Sequence, residues 1–208
     1  RCGETAGLSA FGSDQITPAS GHGYPVYNFI TLADTKKLRT YSIYPKYMYL
    51  CLLLYNKVYK KQKTMCDKKE KQLELDKRYL RMATVWAENS YCKRRQVGAL
   101  IVKDQMIISD GYNGTPSGFE NVCEDEHNVT KPYVLHAEAN AITKVAASSN
   151  SSKGATIYVT SAPCIECAKL IIQSGIKRVV YSEKYRVEDG CNLLRRAGVI
   201  IDYIEIND

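Results

Sequence analysis

This 208-residue chain contains no apolar run long enough to cross a membrane. Residues 47–55 form an apolar run of nine, where a spanning helix needs about 20. No small-residue cleavage site follows it. Lys57, Lys60, Lys61 and Lys63 come instead, which argues against a secretory signal. Eight cysteines are present, but they lack the dense spacing of a secreted disulfide framework. A reducing, cytoplasmic setting is therefore expected. There the glycosylation-like triplets at Asn128 and Asn150 carry no meaning. The chain also lacks an initial methionine and opens on Arg1. It reads as a fragment or as carrying an upstream extension.

Acidic residues are scarce in the first 64 positions, which hold 9 Lys/Arg against 3 Asp/Glu, and 8 of the 16 tyrosines. Residues 65–208 hold 20 against 19 and are nearly neutral. A basic stripe of the kind that binds nucleic acid is thus missing from the larger part. Residues 1–64 are expected to be a leader, disordered or outside the native protein, with Met65 as the natural start. The alternative is an amphipathic anchor over 47–61, its lysines facing anionic lipid. Residues 65–208 are expected to be one domain.

The informative residues lie in two short motifs. His136-Ala137-Glu138 and Pro163-Cys164-Ile165-Glu166-Cys167 supply one imidazole and two thiols. Three such donors suit Zn²⁺ and leave one tetrahedral position open, as catalytic sites do and structural ones do not. Neither motif offers a fourth close ligand. Glu138, two residues from the histidine, is the candidate general acid–base. Its bland alternative is a carboxylate favoured by a helix dipole. Residues 154–160 read as a buried strand, with Pro163 at the first position of a following helix. Cys164 and Cys167 then share one face of the first turn. The spacing H-x-E…P-C-x-x-C is that of zinc-dependent nucleobase deaminases.

Hydrophobic periodicity predicts a helix over 72–91, strands over 97–103 and 106–109 around a turn at Asp104-Gln105, and a turn-rich loop over 111–118. Helices over 135–148, 164–173 and 187–197 alternate with strands over 155–160, 178–183 and 199–205. This is an α/β pattern implying a mixed sheet covered by helices.

Gln96-Val-Gly-Ala99, Gly111-Tyr-Asn-Gly114, His136-Ala-Glu-Ala-Asn-Ala-Ile142 and Pro163-Cys-Ile-Glu-Cys-Ala-Lys-Leu170 together resemble the deoxycytidylate (dCMP) deaminases. The resemblance covers roughly 76–205. It implies the three-layer cytidine-deaminase fold, a five-stranded mixed sheet sandwiched by helices. It also implies hydrolysis of dCMP to dUMP and ammonia for thymidylate synthesis. A homohexamer, and dCTP and dTTP as effectors with Mg²⁺, follow from it as expectations, with neither nucleic acid nor membrane as partner. Substrate contacts are expected from Asn113, the backbone of Ala137, and a cation for the 5′-phosphate. Arg94 or Arg95 and Tyr185 or Arg186 are the candidates for that phosphate, with Arg94 and Tyr185 favoured by position. Solvated surface charge is the competing reading. Ser161-Ala162 before Pro163 departs from the family's usual serine, with little effect expected. Some relatives hold a second, structural zinc, and Cys92, Cys123 and His127 are its candidates, with Asp125 or Glu126 as a fourth ligand. Rival functions are a tRNA adenosine deaminase, a deaminase of another free base or nucleoside, and a non-enzymatic competence accessory protein.

Overall fold

The computed structural model describes residues 45–185 and 187–206, with side chains from Leu52 onward. Contacts divide the chain into two units between Lys69 and Glu70. What is described of the first unit is helical and belongs to α1 (Pro45–Ala87). The predicted helix over 72–91 thus starts far earlier, because no glycine or proline interrupts residues 46–87. It also ends earlier. Glu88, Asn89 and Ser90 turn back with bonds to Val85, Trp86 and Ala87, and the Asn89 amide donates to the Trp86 carbonyl at 3.0 Å. Of the expected leader, residues 1–44 lie outside the described residues, and 45–64 are helical. No helix among the described residues is long and apolar enough to cross a membrane.

The second unit is the expected α/β sandwich. Its strands are β1 (Gly98–Lys103), β2 (Met106–Tyr112), β3 (Thr156–Ser161), β4 (Arg178–Glu183) and β5 (Ile200–Tyr203). Its further helices are α2 (Ala137–Ala146), α3 (Ile165–Gln173) and α4 (Asp189–Arg196). The strand order is β2-β1-β3-β4-β5. β1 pairs antiparallel with β2 and β3, while β3, β4 and β5 run parallel. Asp104 and Gln105 both take positive φ, 50° and 63°, the requirement of a two-residue type I′ hairpin turn. β2 runs three residues past its predicted end because Gly111 and Tyr112 still pair with Ala99 and Gly98.

Side chains alternate across the strands and divide the core in two. Ala99, Ile101, Ile157, Val159 and Val179 pack against Ala141, Val145, Ala168, Ile171 and Leu194 of α2, α3 and α4. Leu100, Val102, Tyr158 and Val180 point the other way, onto Tyr79, Leu80 and Ala83 of α1. An ion pair fastens that second layer. The carboxylate of Asp76, 2 % exposed, accepts from Arg178 at 2.9 and 2.7 Å, from the Tyr158 hydroxyl at 2.7 Å and from Gln72 at 2.8 Å. Burial alone raises the Asp76 pKa, but these hydrogen bonds outweigh it and hold the carboxyl below its ordinary 3.8.

Candidate active site

The sheet's parallel half decides where the chemistry-bearing residues meet. β3 ends at Ser161, and Cys164 is the N-cap of α3, with extended backbone at φ −72° and ψ 173°. His136 is likewise the N-cap of α2 at φ −75° and ψ 156°. Both helices therefore start one or two residues later than predicted, and Pro163 precedes the cap. An N-cap side chain ordinarily bonds to its own helix's free N–H groups. Neither His136 nor Cys164 does so. Their side chains face each other across the carboxyl end of the sheet, where open α/β sheets place ligands.

Both sulfurs, Cys164 Sγ and Cys167 Sγ, lie 3.4 Å from His136 Nδ1, and all three donors fall within 4.8 Å of one another. Zinc bonded tetrahedrally to sulfur at ~2.3 Å and nitrogen at ~2.05 Å puts S and N ~3.6 Å apart. The donor set fits that metal in type and in spacing. The Cys164 thiol is pushed down to about 3, first by the hydrogen bond from Cys167. Cys167 moves upward for the same reason and through burial. Binding a dication here would draw both sulfurs into the thiolate form and release protons.

Glu138 is buried in the first turn of α2. Burial pushes its carboxyl up, and the Cys167 thiol lies within hydrogen-bond reach. The His136 imidazole is raised by its contact with Cys164. The helix starts are braced by glycines that leave no room for a side chain. A Cβ on Gly111 would stand 2.3 Å from the Ala137 carbonyl, and one on Gly190 2.1 Å from the Pro163 carbonyl.

A cavity of about 470 Å³ opens onto His136, Glu138 and Cys164 and reaches Asn113, Ala137, Arg94 and Tyr185. Such a volume is ordinary for a small-molecule site. Lys184, Arg95, Glu124 and Thr130 also line it. No sequence signal marked Lys184, Glu124 or Thr130. Lys184 became visible only through its place after β4 beside Tyr185. Arg186 lies outside the described residues. Arg95 is ion-paired with Glu183, and the Arg94 guanidinium donates to Thr130 Oγ1 at 3.2 Å. Asn113 is engaged with backbone: its Oδ1 accepts from Val97 N–H at 2.7 Å and its Nδ2 donates to the Arg95 carbonyl at 2.8 Å.

The candidates for a second zinc, Cys92, Cys123 and His127, are not brought together as a donor set. Cys92 and Cys123 are joined as a disulfide. Asp125 accepts from the backbone N–H groups of His127 and Val129, both at 2.9 Å, and His127 projects outward beside Glu126, 79 % exposed. Among the described residues, only His136, Cys164 and Cys167 form a metal-holding group.

Residues 73–183 match the family model of the cytidine and deoxycytidylate deaminase zinc-binding region. The chain belongs to this family. It is 35 % identical to the deoxycytidylate deaminase of Saccharomyces cerevisiae over 156 residues, 67 % of this chain and 50 % of that protein. It is 39 % identical to the human deoxycytidylate deaminase over 139 residues, 62 % of this chain and 77 % of that one. The match therefore spans half of the yeast relative and about three quarters of the human one. The dCMP deaminase of cyanophage S-TIM5, solved with dCMP and dUMP, superposes with a TM-score of 0.62 at 44 % identity, covering 63 % of this chain and 97 % of that one.

Proposed function

We propose that this protein hydrolyses dCMP to dUMP and ammonia, supplying dUMP for thymidylate synthesis. The observation that carries the reading is a cluster of two thiols and an imidazole nitrogen at zinc spacing, which reaches through His136 and Cys164 a cavity also lined by the buried Glu138 and by Arg94, Arg95 and Lys184. The relatives' names and the dCMP and dUMP held by the phage enzyme support it.

His136, Cys164 and Cys167 would hold a zinc ion, which would supply the Lewis acidity that makes water nucleophilic near neutral pH. Glu138 takes a proton from the attacking water and hands it to N3 of the base. The water oxygen bonds to C4, its remaining proton passes through Glu138 to the amine, the C4–N bond breaks, and ammonia departs while C4 keeps that oxygen as a carbonyl. A carboxylate that both accepts and returns protons works best with a pKa raised towards neutrality, and burial moves Glu138 in that direction. The base and sugar rest against Ala137 and Asn113. Arg94 and Tyr185 face the 5′-phosphate, with Lys184 beside them on the same wall. A wall carrying Arg94, Arg95 and Lys184 suits a charged nucleotide better than a neutral nucleoside.

The near-neutral composition of 65–208 disfavours a tRNA substrate, whose phosphates would call for a basic surface. The presence of Glu138 and all three metal donors disfavours a non-enzymatic role. We place the catalytic domain at 65–208. From the resemblance we also carry a homohexamer and Mg²⁺-assisted dCTP and dTTP regulation, which light scattering and effector titration test. A cytoplasmic setting rests on cysteine spacing, and the Cys92–Cys123 bond runs against it. Rapid alkylation of the protein in cells, with free thiols counted by mass, decides between the two.

The direct test is ammonia release from dCMP, dCTP, deoxycytidine and an adenosine-bearing anticodon hairpin. Turnover of dCMP above the others is expected. Glu138→Ala keeps its zinc and loses at least about 10²-fold in kcat. Undiminished turnover by that variant sinks the proposal.

A further inference from the structure

One wall of the cavity is built from residues 88–97, which neither helix nor strand holds. It carries Arg94 and Arg95, and side chains from elsewhere tie it down. Asn113 bonds to its backbone at Arg95 and Val97. Gln96 reaches the Ser90 carbonyl at 2.6 Å within it. Cys92 is joined to Cys123. The next residue, Glu124, supplies a further tie. Its Oε1 accepts from the backbone N–H groups of Lys93 at 3.0 Å and Arg94 at 3.2 Å.

Glu124 is only 7 % exposed and lines the cavity. A buried carboxylate is a poor neighbour for a phosphate, so direct contact with that anion is not its use. Its use is mechanical. One oxygen gathers two adjacent N–H groups that would otherwise be unpaired, and so fixes the point from which the Arg94 side chain leaves the backbone. Thr130 holds the far end of that side chain at 3.2 Å. Arg94 is thus fixed at both ends before any ligand enters, which reduces the ordering cost of binding.

We infer that Glu124 is a positioning residue: it sets Arg94 for the 5′-phosphate and thereby the preference for nucleotide over nucleoside. This rests on the nucleotide reading of the site. A nucleoside has no phosphate to meet Arg94 and does not register the clamp, whereas a nucleotide does.

The test compares kcat and KM for dCMP and deoxycytidine, with deoxycytidine read as a competitive inhibitor if it is not turned over. Glu124→Ala is expected to raise the dCMP KM about tenfold, the effect of losing hydrogen bonds to a charged acceptor. Its kcat and its affinity for deoxycytidine stay within about twofold. Glu124→Gln keeps an oxygen in place and restores the dCMP KM to within about threefold of the parent. Thr130→Val, at an exposed position, leaves the backbone ties intact and raises the dCMP KM about threefold. It carries the test if Glu124→Ala does not fold. Equal losses for both substrates, a Gln variant as impaired as the Ala one, or a Thr130→Val enzyme with an unchanged substrate ratio overturns the inference. A parent enzyme inactive on dCMP overturns the nucleotide reading instead, and the inference with it.

Discussion

Gly190→Ala probes how the metal donors are held, and its effect can be worked from contact distances. A methyl there would stand 2.1 Å from the Pro163 carbonyl oxygen and 2.8 Å from the Cys164 carbonyl carbon and oxygen, where real Cβ contacts essentially never fall below 3.0 Å. Those atoms are backbone, so no rotamer relieves the clash. The start of α4 and the turn bearing Cys164 must part by about 0.9 Å, the gap between 2.1 and 3.0 Å. If the helix moves, Cys191 and Leu194 leave the core, and overpacking of this kind costs about 1–3 kcal/mol. If the turn moves, Cys164 Sγ leaves its 3.4 Å approach to His136 Nδ1. Displaced supports of metal ligands lower affinity about 10- to 100-fold. The expected result is both a loss of metal-free stability and zinc binding weakened at least about tenfold. Urea unfolding of metal-free protein and competition with a chromophoric chelator measure the two. Gly198→Ala, just past the C-cap of the same helix, is the control. Its Cβ meets open space and only its φ of +74° is unfavourable, so about 1 kcal/mol of stability is lost with zinc affinity unchanged. Parent-like stability and parent-like zinc affinity in Gly190→Ala refute the reasoning.

Other outcomes follow from the same distances. Asp76→Ala leaves Arg178 with Asp202 alone, at 2.7 Å, and should cost about 3 kcal/mol in urea unfolding, as broken buried ion pairs do. The unfolded chain holds the Asp76 proton more tightly than the folded one, so the pair's contribution is complete above pH 3.8 and fades as pH falls through the lower folded value. The parent's advantage over Asp76→Asn should therefore narrow only in that acid range, and narrowing between pH 5 and 7 contradicts the assignment. Chelation should abolish deamination and lower the melting temperature, and added Zn²⁺ should restore both. Tyr158→Phe removes one 2.7 Å hydrogen bond to Asp76 and should cost about 1 kcal/mol without changing kcat.

The metal donors and Glu138 were legible in the sequence because each motif is local: a residue or two of spacing fixes which side chains share a helix start. The mixed sheet was legible because strand and helix periods alternate along the chain. The cavity wall was not. Glu124 and Thr130 come from the loop between β2 and α2 and Lys184 from the one after β4, and no period relates them. The upstream extent of α1 was missed because continuation of a helix has no positive signal, only the lack of a breaker. Cys92, Cys123 and His127 have plausible ligand spacing, but Asp125 turns the loop so that the imidazole faces solvent. Asn113 showed a similar limit, since its bonds to Val97 and Arg95 depend on a tertiary approach.

The two sides of the sheet are unequally covered. Three helices share one, while α1 is the one helix over Leu100, Val102, Tyr158 and Val180, joined there by Ile204 and Ile206. A chain cut or frayed past Asp76 would leave the zinc motifs intact and lay bare a row of β-branched and aromatic side chains. Bare sheet faces of that kind stick to one another. The stretch of α1 from Gln72 to Ala83 lines no part of the cavity, yet it keeps an adhesive face of the sheet covered.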